Sequence, residues 1–525
     1  MALLLSPPKL VLLAVCLAVK ADIDSLVALA AHHGAVLRKE LLLRIVLTYL
    51  PETLRSSEYA FFVQQLENGS FTETEAKNID YSAVGALSED EARKKVKKLR
   101  LLPLTVPGDS CNGEVSEDVT TKFLLCRAYR VDEEAGLLNE LPGLLTPFLE
   151  HAPCIRTLMV STLLPLLRRN CEYHPHQPIS YTLLGFQQLP DKVAVNLLLS
   201  QTGARDEDLP IIGRDLRGLV GPWLLNKKRW KGRQFNTVSS SEPEDINKDG
   251  LCPGWEHVLK WLTDQAAVSW RVAVNAIDQW DGPEDADCDS QDEIWYDDKE
   301  REYLTQTYAR AALASAYLIS DVSNEALEGA YEIAAKTATR LGQDPVSPLH
   351  TVAGMLPPLA EQINEQVSLP RNATYMRNDL LDSSNFLTSP SNSSIVFLQA
   401  IILSAFILTR AGCPLSLRRA GELALIQDER EQKSEATKLI HCLINNGHKT
   451  DDRSWIKARN EILWLRDWGA EDEAVSSDVP GKGIFGQLKR EFLEVETLKA
   501  FLASARMFFL PSTRPSFCWA IVNHC

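Results

Sequence analysis

Nearly every periodic segment of this 525-residue chain repeats at helical spacing, and alternation at every second residue is scarce. That property excludes sandwiches, barrels and doubly wound sheets and predicts an all-α fold. Leu304, Tyr308, Ala311, Ala312 and Ser315 share one face of a helix predicted over 300–319. Trp455, Ala458, Ile462 and Leu465 do the same further along. The ends carry their own chemistry: Ser88 with Glu91 forms a capping box, Ser323 can cap a helix running to Leu341, and Gly342 with Pro345 stops it.

Such helices, joined by short connectors, recur from residue 9 to about 505 without a repeat of fixed length. The expected architecture is an irregular, elongated α-solenoid of stacked helical hairpins. The pattern breaks most sharply at the Ser-rich, acidic stretch 236–253. A first helical section is therefore expected over 1–235, a polar linker over 236–253, a second section over 254–505 and an atypical tail over 506–525.

Charge is unevenly placed. Lys plus Arg number 55 against 70 Asp plus Glu, a net charge of −15, which argues against general nucleic-acid binding because that depends on cations neutralising phosphates. Residues 281–300 hold ten acids against Lys299, so the stretch 281–298 reads as a solvated acidic loop. Two basic clusters stand against it: Arg93, Lys94, Lys95, Lys97, Lys98 and Arg100 on the capped helix, and Lys227, Lys228, Arg229, Lys231 and Arg233 around Trp230. Each suits a solvated surface, acidic lipid headgroups or an acidic partner.

Eleven cysteines without a CxxC or regular spacing resemble buried thiols of a reducing compartment more than a disulfide framework. The sequons at Asn68, Asn372 and Asn392 match the number chance supplies and carry no information on secretion. The apolar run Leu10 to Val19 behind Lys9, with small residues at Val19 and Ala21, has the form of a signal peptide. Pro7 and Pro8 before it, and a helical pattern continuing through Ile23, Leu26, Val27 and Ala30, point instead to a core helix. The apolar run Ile395 to Leu408 is shorter than the roughly twenty residues of a membrane span, so no transmembrane helix is expected.

The sharpest chemical motif is Asp245-Ile-Asn247-Lys-Asp249-Gly250, which continues through Leu251 to Glu256 and completes a calcium-loop pattern. Side chains of Asp245, Asn247, Asp249 and Glu256 with the Leu251 carbonyl would supply hard oxygens, and Gly250 the sharp turn. The context is that of a polar loop: Phe235 to Glu244 is aperiodic where an entering helix is needed, and Pro253 sits inside. No bound metal or cofactor is expected. Asp285, Asp287 and Asp289 begin a similar pattern that fails at Ser290 and Tyr296. Cys171, His174 and His176 offer zinc ligands at the wrong spacing, with Pro175 between the histidines. Gly481, Gly483 and Gly486 form GxGxxG without a preceding strand and read as a flexible entry to the next helix. P-loop, HExxH, GxSxG and kinase motifs are lacking, and nothing assembles an active site, so the chain reads as a non-enzyme.

Longer strings are more specific. Leu5 to Ile23, LLLRIVLTYLPETL from Leu41, RDLRGLVGPWLL from Arg214 and GWEHVLKWLTDQA from Gly254 resemble the Sec-thirty-nine domain of secretory-pathway tethering proteins. YARAALASAYLI from Tyr308, RRAGELALIQDEREQK from Arg418, RNEILWLRDWG from Arg459 and GQLKREFLEVETLKA from Gly486 extend the resemblance to about residue 500. In fungi that family is the large helical subunit of the Dsl-type tethering complex at the endoplasmic reticulum, and a similar domain lies in the neuroblastoma-amplified sequence protein of animals.

The resemblance implies an α-solenoid on the cytosolic face of the membrane that helps capture COPI-coated vesicles returning from the Golgi and promotes SNARE assembly. Other tether subunits and ER SNAREs are the implied partners, and Leu10 to Val19 becomes a first core helix. The family's helical pattern normally continues past Ala500, so the Pro-, Phe- and Cys-bearing tail Met507 to Cys525 reads as the end of a truncated product or faulty gene model. The rival expectation is a secreted or lumenal all-α protein, calcium-regulated through the Asp245 loop, with the N-terminal run as its signal.

Overall fold

The computed structural model describes residues 5–71, 79–107, 118–174, 181–225, 254–285, 298–345, 347–357, 374–377, 379–446, 452–468 and 480–506. Every regular element among them is helical, as the periodicity demands, and no strand occurs. The chain divides into two compact units. The first holds Met1–Gln201, Arg217–Lys248 and Asp287–Ser290, and the second holds Thr202–Leu216, Asp249–Ala286 and Gln291–Cys525. The expected linker at 236–253 and the tail beyond 506 lie outside the described residues.

In the first unit the helices of ten residues or more are α1 (Pro7–Val19), α2 (Ile23–His33), α3 (Lys39–Tyr49), α4 (Ser56–Asn68), α5 (Glu89–Lys98) and α6 (Val119–Ala135). Pro7 and Pro8 open α1, where their fixed φ and missing N–H cost nothing. The helix then buries Leu10 to Val15 with Leu17 and Ala18, and packs on α2, α3 and α5. Eight buried residues make α1 a central core element, as the family resemblance implied, and its apolar run needs no signal function to account for it. Short helical turns between 138 and 199 and between 217 and 224 complete the unit, while those at Asp206–Ile211 and Ile212–Asp215 belong to the second.

The connector after α3 is held by Arg127 of α6. Its fully buried guanidinium donates to the Leu50 and Pro51 carbonyls at 3.0 and 2.7 Å, and to the Tyr59 hydroxyl at 3.4 Å. Helix C-termini leave carbonyls without intrahelical partners, and Arg127 satisfies two just past the end of α3 from inside the core. Arg44 repeats the device, donating to the Leu101 and Leu102 carbonyls at 3.2 and 3.1 Å.

The second unit continues with α7 (Trp255–Val268), α8 (Trp270–Gln279), α9 (Asp298–Leu318), α10 (Asn324–Arg340), α11 (Asn392–Arg410), α12 (Leu417–Ile426), α13 (Glu429–Asn446), α14 (Asp452–Asp467) and α15 (Arg490–Arg506). Partners are close in sequence: α7 packs on α8 and α9, α10 on α8, α9 and α11, α11 on α12, and α15 on α13 and α14. The predicted stripes are the buried ones, Leu304 to Ser315 in α9 and Trp455 to Leu465 in α14. Ser323 caps α10 through the Ala326 N–H at 3.3 Å, and Gly342 follows it at φ 80°.

Helix α11 is long and apolar enough by composition to cross a membrane, yet 78% of its apolar window is buried in the fold. It is a core helix, and Ser404, its buried hydroxyl, donates to the Ala400 carbonyl at 2.7 Å.

The glycines of the GxGxxG match do not make a flexible entry. The turn closes on itself, with the Gly481 N–H donating to the Gly486 carbonyl at 2.8 Å. It also caps α14: the N–H groups of Gly483 and Phe485 donate to the Arg466 and Leu465 carbonyls at 3.1 and 3.2 Å. A Cβ on Gly481 or Gly483 would lie 2.0 Å from the Arg466 or 2.2 Å from the Leu465 carbonyl oxygen, so the glycines are there for close backbone approach.

Candidate functional site

Of the calcium-pattern residues, Asp245, Asn247, Asp249 and Leu251 lie outside the described residues. Glu256 is described and is used locally, its carboxylate accepting the Gly254 N–H at 2.7 Å where the chain enters α7. Cys171 is exposed and its thiol faces the Asn139 side-chain oxygen Oδ1 at 4.0 Å, while His176 lies outside the described residues.

The start of the acidic stretch is more firmly held than a solvated loop. Asp281 pairs with Lys336 at 3.3 Å and Arg340 at 3.9 Å, and Glu284 accepts from Thr305 at 3.1 Å and faces Arg301 at 3.8 Å. Beneath them Trp280 is buried, stacked on Trp255 at 6.0 Å and edge-on to Tyr308 at 5.2 Å. The Tyr308 hydroxyl donates to the Trp280 carbonyl at 2.6 Å, and the Arg340 guanidinium lies 4.9 Å over the Tyr308 ring. Gly282 makes the turn at φ 97°, and a Cβ there would meet the Tyr308 ring at 2.9 Å. Residues 281–285 are thus anchored, and residues 286–297 lie outside the described set.

One ionic cluster converges that sequence spacing does not announce. Glu67 at the end of α4, Asp118 capping α6, and His151 bring one donor atom each within 4.8 Å of one another, a geometry that could hold a metal ion. The site already contains its cation. The Lys39 ammonium pairs with Glu67 and lies 3.7 Å from Asp118, while Thr120 donates to Glu67. Asp118 also accepts the Thr121 N–H and hydroxyl at 2.7 and 2.8 Å, with His151 Nε2 at 2.9 Å.

Partial burial pushes the Asp118 carboxyl up, but the bonds from His151 and Thr121 and the Lys39 charge outweigh it and hold the group well below the carboxylate range. Glu67 is lowered in the same way, burial being offset by Lys39 and Thr120. Two carboxylates bridged by one ammonium and bonded by hydroxyl, amide and imidazole groups join α3, α4 and α6. A metal would have to displace Lys39, so the arrangement acts as a structural tie.

Other surface features are side chains on separate elements. Phe61 is 58% exposed, Met355 63% and Val268 85%, and singly exposed apolar residues are ordinary on protein surfaces. Helix α5 and the two residues after it present the first basic cluster, with Arg93, Lys94, Lys95, Lys97, Lys98 and Arg100 all exposed. The cluster around Trp230 lies outside the described residues.

Comparison with known families matches residues 11–513 to Secretory pathway protein Sec39. Comparison with curated proteins and with solved structures returns no match. The match takes in both units from α1 to the end of α15, and this all-α chain belongs to the secretory pathway protein Sec39 family.

Proposed function

We propose that this chain is a non-enzymatic scaffold subunit of a Dsl-type tethering complex on the cytoplasmic face of the endoplasmic reticulum. It would act in Golgi-to-ER retrograde transport of COPI vesicles and support SNARE assembly. The observation that carries the reading is the extent of the family match: residues 11–513 make the whole folded body, rather than a grafted module, the family domain.

Packing of the second unit's long helices chiefly on near neighbours in sequence supports an irregular α-solenoid, built as sections 1–235 and 254–505 around the linker 236–253. The mechanism is geometric. A stiff helical array holds separate binding faces apart, so that a neighbouring tether subunit, the N-terminal region of an ER SNARE and, through partners, a COPI vesicle are engaged together. Linked weak contacts then give avidity that no single face has. Peripheral membrane association follows through those partners.

The test is affinity purification of the full chain from cells under mild lysis, with mass spectrometry of what is retained. Recovery of other tether subunits and ER SNAREs is the expected outcome; recovery of neither would overturn the proposal.

A further inference from the structure

We propose that the solvent face of α5 is a docking surface for an anionic lipid bilayer, a direct membrane contact in addition to any made through protein partners. Six cations, Arg93, Lys94, Lys95, Lys97, Lys98 and Arg100, fall within eight residues, and no acidic residue occurs from 92 to 108. Helix α5 turns a narrow apolar edge inward against α1, with Ala92 fully buried and Val96 half-buried, and leaves all six cations exposed. The capping box secures the other end: Glu91 accepts the Ser88 N–H at 3.0 Å, and the Ser88 hydroxyl accepts the Glu91 N–H at 3.3 Å. Five of the cations thus ride on a helix anchored at both its N-terminus and its inner edge, with Arg100 just past its end, and those of the last turn are favoured there by the helix dipole.

Two of the six have a counter-charge nearby. Arg93 pairs with Glu89 at 3.0 Å, and Lys95 lies close enough to Glu91 to lower its carboxyl slightly. Lys94, Lys97, Lys98 and Arg100 have neither a hydrogen bond nor an ion pair among the described residues. In a chain of net charge −15, such an uncompensated positive island orients the molecule toward an anionic surface.

The kind of cation identifies the occupant. Four of the six are lysines, compact mobile point charges on flexible stems, whereas a peptide carboxylate in a specific site is best held by the planar fork of arginine. Lysines spread over the exposed face of a helix match a diffuse plane of charge, which is what phosphatidylserine-type headgroups present. Nothing on this face inserts, so attachment is electrostatic and weakens as salt screens it.

The experiment is flotation of the purified full chain with phosphatidylcholine vesicles, with and without phosphatidylserine, alongside the variant carrying Lys94→Gln, Lys95→Gln, Lys97→Gln and Lys98→Gln. Glutamine preserves helix propensity and the four side chains are exposed, so the melting temperature is expected to stay unchanged. The chain is expected to float with the anionic vesicles only. Each basic side chain near an anionic surface strengthens binding roughly fivefold, so the variant is expected to lose about a hundredfold or more in partitioning. Equal flotation with neutral vesicles, or undiminished flotation of the variant, overturns the proposal. So does absence of flotation, and retention on a polyglutamate matrix that the variant abolishes would then make α5 an acidic-peptide surface. The chain is tested alone, so the result is independent of whether tether subunits are recovered from cells.

Discussion

Two side chains in the first unit show how far a charge can be taken from water when its partners are complete. Asp118 takes Thr121 and His151 on one carboxylate oxygen and faces Lys39 at 3.7 Å with the other, and its depressed carboxyl makes it a reporter of acid stability. A lowered native value contributes stability that is complete above the unfolded carboxyl's ordinary value of about 4 and drains away as pH falls toward the native value. Asp118→Asn is therefore expected to lower the urea midpoint at neutral pH. The two proteins' midpoints should then converge as acid protonates the native carboxylate; parallel pH profiles would show that Asp118 contributes no such linkage. Arg127 is the complementary case, a buried cation whose work is done on carbonyls. Arg127→Met would strip the Leu50 and Pro51 oxygens of their guanidinium donors, leaving Pro51 the Leu54 N–H at 3.3 Å, at a cost of about 3 kcal/mol.

Among the elements, the turn between α14 and α15 is the most exacting. Gly483→Ala would place a methyl group 2.2 Å from the Leu465 carbonyl oxygen and break the backbone cap of α14, a backbone displacement worth about 3 kcal/mol, measurable as a lowered denaturation midpoint. Sequence periodicity located the long helices and their caps because burial of a stripe and bonding of an N-cap are written within one turn or two, as at Ser88, Ser323 and the Leu304 face. It did not locate what Gly481 and Gly483 approach, since the Leu465 and Arg466 carbonyls belong to another helix end. The Lys39–Glu67–Asp118–His151 tie was illegible for the same reason, its members coming from four separate parts of the chain. Asp118 with Thr121 could be read as a cap, but its lysine and histidine partners could not. The acidic stretch was legible as charge, while the anchoring of residues 281–285 depends on Lys336, Arg340 and Tyr308 on helices that follow it.

At the scale of the whole molecule, two units with their own packed helices predict separable unfolding. Calorimetry is expected to resolve two transitions, with Arg127→Met lowering one and Gly282→Ala the other. The alanine would be forced to φ 97° against Tyr308, at about 2 kcal/mol. A single transition shifted by both substitutions would show one cooperative body. The buried apolar helix α11 has a further consequence for how such a chain is made. Emerging alone from a ribosome, Asn392–Arg410 has the composition that membrane-insertion machinery selects. Of the helices that pack on it, α12 follows it in the chain, whereas α9 and α10 end at Leu318 and Arg340, upstream. At about 5–20 residues per second they leave the ribosome several seconds before α11 does. Their order in the sequence means that a protein of the secretory pathway has part of the cover for its own most membrane-like segment ready before that segment is exposed.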